Sequence, residues 1–282
     1  MDTTFKRREF LDLVGTGVAG LAATQLGGCV AESDYAAAAE GRLEADGFLG
    51  GLADGFVGEH IAMLVYPNMT LLDLVGPHTC FTALGMTIHL VWKTLDPITT
   101  ESGIVMMPTT TFAQCPRELE ILFIPGSTLG TTPLARDPEV LDFVRSRGER
   151  AKLVTSVCTG SLLLGAAGLL RGYQATSHWF TRELLPIVEA IRVDDRYVVD
   201  RNRITGGGVT SGIDFGLRVI ERLRGRELAE TTQLMLEYAP QPPFNAGDPA
   251  TAPQASVDTI RALFGLALVD GAIAMEQAAA NF

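Results

Sequence analysis

The chain has 282 residues, of which 47% are hydrophobic and 20% charged, enough apolar material for a sizeable core and too much for a disordered polymer. Its 33 acidic and 22 basic residues leave a formal charge of -11. That balance excludes a sequence-independent grip on nucleic acid, which depends on Lys and Arg neutralising phosphates.

Residues 1–29 read as a targeting segment rather than as fold. Arg7-Arg8 precede Phe10-Leu11, an apolar Gly/Ala-rich run from Leu13 to Leu26 is too short to span a bilayer, and the segment closes on Leu26-Gly27-Gly28-Cys29. The opening resembles a twin-arginine export signal and the ending a lipobox. Together they imply an exported protein on the envelope side, held to the membrane by lipid on Cys29 alone. The same residues also fit an amphipathic first helix with an incidental cysteine. Residues 30–58, rich in Ala, Gly, Asp and Glu without an apolar period, read as a flexible tether.

The folded region is expected over residues 59–253. His60 to Tyr66 is a short apolar run ended by Pro67-Asn68, a buried strand and a turn. Leu71 to Leu84 reads as a helix interrupted at Gly76-Pro77, and Ile88 to Leu95 as a second strand. Ile98 to Thr111 alternates like a β-ribbon, and Leu119 to Ile124 is a strand stopped by Pro125-Gly126. Asp137-Pro138 opens a helix to Gly148, with Asp as N-cap and Pro at the first position. Lys152 to Val157 is a strand, Gly160 to Leu170 a helix, and Ala175 to Ser177 a short strand. Arg192 to Ile204 reads as paired strands around Asp194-Asp195, followed by helices from Ser211 to Arg224 and from Glu227 to Tyr238. Residues 254–282 form a C-terminal extension with a helix over Val257 to Gln277. Strands alternating with helices predict an α/β fold, a three-layer sandwich whose mostly parallel sheet is covered on both faces.

In such a sheet, ligands gather at the carboxyl ends of the strands. Three segments end there: Leu72-Asp73, Pro125-Gly126-Ser127, and Ser156-Val157-Cys158-Thr159-Gly160. In the last, a buried strand runs directly into Cys158 and a helix starts at once, a strand-to-helix elbow of the kind that presents a nucleophile. Free N–H groups at the helix start favour thiolate over thiol, and the thiolate is the reactive form. The alternative is a buried, inert cysteine filling a gap.

The cysteines Cys29, Cys80, Cys115 and Cys158 form no C-x-x-C pair, so neither a metal site nor a disulfide framework is indicated. If Cys29 takes lipid, an odd number remains and at least one thiol is free. His60, His78 and His89 show no metal-ligand spacing. Gly206-Gly207-Gly208 lacks both the P-loop Lys-Ser/Thr and the G-x-G-x-x-G spacing, so it reads as a tight turn and no cofactor is expected.

The ordered set Tyr66-Pro67, Leu72 to Pro77, Ile124-Pro125-Gly126, Val157 to Ser161, Ala175 to Trp179, Arg203 to Asp214 and Tyr238 to Phe244 resembles the DJ-1/PfpI superfamily. Within it, the set resembles the isonitrile hydratase branch and the amidotransferase-like domain of AraC-type regulators. The resemblance implies a flavodoxin-like fold and a homodimer acting on a small molecule, an isonitrile or another small electrophile. It also implies Cys158 as nucleophile, Asp73 as acid/base partner and Thr159 as a helper beside the thiol. Gly126, Ser127, His178 and Trp179 would bind the substrate or its developing anion, and His178 equally fits a structural histidine. Many relatives carry Gly-Gly where this chain has Gly126-Ser127, so a side chain at 127 is expected to narrow the pocket or change how N–H groups are presented. Two other functions fit the same residues: a ligand-sensing domain without catalysis, and a redox or carbonyl-stress protein using Cys158.

Overall fold

The computed structural model describes residues 58–282, so the export signal, Cys29 and all of the tether but its last residue lie outside the described residues. Regular structure starts with the apolar run His60–Leu64, strand β1, buried along nearly its whole length. Strands β6 (Ile121–Ile124), β7 (Leu153–Ser156) and β11 (Arg203–Gly206) are buried at every position, as strands covered on both faces must be. With β2 (Thr87–Trp92), β5 (Thr110–Thr111) and β10 (Tyr197–Asp200), they form one seven-stranded sheet in the order β10-β11-β7-β6-β1-β2-β5. Only β10 runs antiparallel to its neighbour. This is the flavodoxin-like, mostly parallel arrangement.

Helices cover both faces. On one, α1 (Leu71–Phe81) crosses α5 (Ser211–Arg224), which leads into α6 (Arg226–Met235). Phe81 of α1 and Phe215 of α5 meet Phe123 of β6 at ring distances of 5.9 and 5.8 Å, so one aromatic cluster joins both helices to the sheet. On the other face lie α2 (Thr131–Leu134), α3 (Pro138–Gly148), α4 (Gly160–Ala166), a 3₁₀ segment (Arg182–Val188) and α7 (Gln254–Ala279). Helix α7 rests on the 3₁₀ segment, α2 and α4. No helix among the described residues is long and apolar enough to cross a membrane.

The N-terminus of α3 is as expected: Asp137 Oδ1 accepts the N–H groups of Glu139 and Val140 at 3.1 and 3.3 Å, with Pro138 at the first helical position. Four expectations need correction. Helix α1 runs unbroken through Gly76-Pro77, because Leu74, Pro77, Cys80 and Phe81 are buried beneath α5 and the sheet and this packing outweighs the breaker. The ribbon is shorter than its alternation suggests: β3 (Ile98–Thr99) pairs with β4 (Val105–Met106), while β5 joins the main sheet beside β2. The hairpin lies between β10 and β11, turning at Arg201-Asn202, and Asp194-Asp195 precedes it. Strand β9 (Ile191–Arg192) instead pairs in parallel with β8 (Gln174–Ala175), an interaction between distant segments that local alternation cannot reveal. Finally, α4 ends at Ala166, where Gly168 adopts a positive φ of 79° and stops it.

Candidate active site

Strand β7 delivers Cys158 at a φ of 58°, in the left-handed region that residues with side chains avoid. Both of its backbone polar groups are tied down. The N–H donates to the carbonyls of Gly206 and Gly207 at 3.1 and 2.7 Å, and the carbonyl accepts the hydroxyls of Ser161 and Ser177 at 3.2 and 3.0 Å. At Gly160 a Cβ would stand 2.2 Å from the Ile124 carbonyl oxygen, so β6 approaches the elbow as closely as bare backbone permits.

Asp73 arrives from the first turn of α1 and is fully buried. Its Oδ2 accepts the Gly126 N–H at 2.9 Å. A Cβ on Gly126 would lie 2.6 Å from Thr159 N and 2.8 Å from both Asp73 Oδ2 and Cys158 Cβ, so the three segments singled out in the sequence converge on that glycine. Asp73 Oδ1 is buried and has no partner in hydrogen-bond geometry, although the Cys158 thiol is near enough to act on the carboxyl.

The hydroxyl of Thr159 accepts the Ser127 N–H at 2.8 Å and donates to the Ser127 carbonyl at 2.9 Å, with the Thr131 hydroxyl 2.7 Å away. Thr159 therefore braces the loop after β6 against the elbow. The N–H groups of Gly126 and Ser127, residues expected to bind the substrate or its developing anion, donate here to the Asp73 carboxyl and the Thr159 hydroxyl. The Ser127 side chain also turns back into its own loop, donating to the Asn68 carbonyl at 2.5 Å and accepting the Gly130 N–H at 2.7 Å.

Burial pushes the Asp73 carboxyl up to about 7, against the pull of the Gly126 N–H and the Cys158 thiol, and Glu101 adds a smaller push in the same direction. Cys158 is also pushed well above its ordinary value, first by burial and then by the negative charge of Asp73, while the Thr159 N–H opposes both. The low thiol pKa expected from the helix N-terminus is thus overturned. A helix end contributes about 1 kcal/mol, less than one pH unit, whereas full burial shifts a group by roughly 3 to 5 units. Burial thus favours the neutral form of both the acid and the thiol.

His178 Nδ1 accepts the Phe180 N–H at 3.3 Å, and its carbonyl accepts the N–H groups of Thr181 and Arg182 at 2.8 and 3.1 Å. Burial, then Arg182, lowers its pKa. These contacts give His178 a structural part, capping the turn into the 3₁₀ segment while its ring reaches the pocket wall. Trp179 follows it into the wall.

Cys158, Thr159 and Ser127 border a cavity of about 230 Å³, together with His178, Trp179 and residues of α7. Sequence reasoning missed Glu101, Thr131 and the part that α7, expected as a helix, plays in the cavity wall. Glu101 stands at the mouth, accepting the Thr70 hydroxyl at 2.7 Å and the Thr128 N–H at 3.3 Å, and no local motif distinguishes it. Cys80 and Cys115 are free and buried apart from the cavity, and burial raises Cys80 to about 12. His60 and His89 adjoin one another, ring nitrogens 3.2 Å apart, yet no group of three His, Cys, Asp or Glu among the described residues could hold a metal ion.

The description of the DJ-1/PfpI family matches residues 59–222, a span that contains the elbow, Asp73 and the Gly126 loop. The chain belongs to the DJ-1/PfpI family. Among family proteins, it is 50% identical over 202 residues to the isonitrile hydratase of Pseudomonas putida, covering 71% of this chain and 88% of that one. A THiJ/PfpI family protein from Pseudomonas syringae, known from its crystal structure, superposes with a TM-score of 0.76 at 52% identity, over 77% of this chain and 90% of the other. The DJ-1alpha protein of Drosophila melanogaster is 27% identical over 147 residues, which is 50% of this chain and 66% of its own. Helices α6 and α7 lie beyond the residues that the family description matches.

Proposed function

We propose that the chain hydrates an isonitrile to an N-substituted formamide through a covalent intermediate on Cys158. The observation that carries this reading is Cys158 in the wall of a largely apolar cavity, with the buried Asp73 carboxyl behind it near enough to interact with its thiol. The 50% identity to an isonitrile hydratase supports it.

An isonitrile carbon accepts a nucleophile only as it gains a proton, so a site for it needs both in one place. The Cys158 sulfur bonds to the terminal carbon while the proton held by the pair moves to that carbon, leaving a thioimidate and an Asp73 carboxylate. The carboxylate then takes a proton from water as the water oxygen bonds to carbon, and passes that proton to nitrogen. Breaking the carbon–sulfur bond releases the formamide, and the hydroxyl proton returns to the Cys158–Asp73 pair. Thr159 keeps the Gly126–Ser127 loop in place throughout, and Gly126 orients Asp73 through Oδ2.

A ligand-sensing domain without turnover is the second reading, favoured by the raised pKa of the thiol. Incubating the protein with cyclohexyl isocyanide and following the formamide by mass spectrometry separates the two. Formamide from the wild type, lost in both Cys158→Ala and Asp73→Asn, is the expected result. Full activity in either variant rejects the mechanism, and a wild type that binds the isonitrile without product favours sensing.

A further inference from the structure

Helix α7 changes character along its length. Its C-terminal half is rooted in the protein, with Gly271, Ala274, Met275 and Ala278 buried. Leu184 comes within 3.1 Å of where a Gly271 Cβ would stand. The Arg136 guanidinium grips the same half in a fork, reaching both carboxylate oxygens of Asp270 at 3.1 and 2.7 Å and Gln277 Oε1 at 3.0 Å. The N-terminal half is less enclosed: Ile260, Phe264, Ala267 and Leu268 are only part-buried, and their inner sides border the cavity that Cys158 opens onto. Val257 in this half is buried, and an aromatic chain also seats it. Phe264 meets Phe180 edge-on at 6.1 Å, and Phe180 meets Trp179 edge-on at 5.7 Å.

We propose that the N-terminal half of α7 is the specificity wall of the site, with Ile260, Phe264 and Leu268 forming an apolar subsite for the substituent carried by the reacting carbon. This inference rests on Cys158 being the group that meets substrate. The chemistry of this part of the wall suits a hydrocarbon, because Leu162 and Leu184 line the same cavity and none of these side chains offers a hydrogen bond, whereas the hydroxyls of Thr131, Thr159 and Ser127 belong to the part of the lining around Cys158. Its size selects one ring or a branched alkyl group. A dry cavity of about 150 Å³ accommodates benzene, so about 230 Å³ suits a single six-membered ring with a short reactive head.

The test compares methyl, tert-butyl and cyclohexyl isocyanide on the full-length chain, as wild type, Phe264→Ala, Phe264→Trp and Leu268→Ala, with circular dichroism to confirm folding. The wild type should favour cyclohexyl over methyl by at least about tenfold in kcat/KM. Phe264→Ala and Leu268→Ala should lose most of that preference through KM, while Phe264→Trp should reject cyclohexyl and keep methyl. An unchanged size profile in folded variants overturns the proposal. If no isonitrile is turned over, the hydratase reading fails by itself, and Cys158 labelling by N-methylmaleimide and N-cyclohexylmaleimide becomes the readout. Discrimination against the larger reagent that sharpens in Phe264→Trp and relaxes in Phe264→Ala upholds the wall, whereas equal rate ratios in all variants overturn it.

Discussion

Asp73 Oδ2 accepts the Gly126 N–H at 2.9 Å, across 53 residues of chain. The bond leaves Oδ1 buried without a partner in hydrogen-bond geometry, in a carboxyl that the Cys158 thiol also approaches. A carboxyl held by one oxygen and buried around the other is primed to hold its proton, which an acid working near neutral pH needs.

The pH dependence of activity follows from this arrangement. The mechanism starts from a pair that holds one proton; with Asp73 raised to about 7 and the thiol raised as well, that state replaces the doubly protonated one as pH rises through about 7, so kcat/KM should rise across that value. Rates measured from acid to alkaline pH check this, and a rate that falls steadily as pH rises through about 7 contradicts it.

Stability should respond in the opposite direction. An unfolded Asp73 ionises near 3.8, so between about 4 and 7 the folded state binds more protons and loses stability as pH rises, with no further loss from this group above about 7. Relative to wild type, Asp73→Asn should gain stability across that window, by at most about 4 kcal/mol. Thermal melts at about pH 4.5 and about pH 7.5 measure the difference.

Coupling within the pair gives a prediction of opposite sign for two readouts. The Asp73 charge helps to hold the Cys158 thiol protonated. Asp73→Asn should therefore speed alkylation of Cys158 by iodoacetamide at mildly alkaline pH while hydration of isonitrile is lost. Slower alkylation in that variant would show that the two groups are not coupled in this sense.

Gly160→Ala should damage the elbow, because its Cβ would stand 2.2 Å from the Ile124 carbonyl oxygen. A clash with backbone cannot be relieved by a rotamer change. The expected loss is on the order of 3 kcal/mol, or roughly 6 to 12 °C in Tm, read by calorimetry.

Thr159→Val keeps the volume and removes the hydroxyl that joins the Ser127 N–H and carbonyl. A buried N–H without a partner costs about 1 to 3 kcal/mol, and the loop that positions Asp73 through Gly126 loosens with it. A lower Tm together with reduced kcat is expected, and Thr159→Ser should restore both.

Much of this protein was legible along the chain because the signals are local. Buried strands appear as unbroken apolar runs, as in Ile121–Ile124 and Leu153–Ser156, and the α3 cap is spelled out by Asp137-Pro138. The elbow is a property of a few neighbouring residues, so Cys158 was identifiable without coordinates. Asp73 was identifiable as a residue at a strand's carboxyl end, and its role came from the family resemblance. By contrast, the α1 proline and the Asp194-Asp195 pair carry strong local signals that packing overrides.

The sequence by itself therefore determined the α/β class and the segments that supply thiol, acid and loop. Only the tertiary structure decided how those groups behave. The protonation of Cys158 depends on burial, a sum over neighbours from the whole fold, and burial outweighs the short-range pull of the helix start. The same holds for Gly126 and Ser127, whose N–H groups find partners 53 and 32 residues away, and for α7, which becomes a cavity wall only once it lies against the 3₁₀ segment and α4. Local pattern specifies which element a residue joins, while desolvation and long-range hydrogen bonding specify what that residue can do.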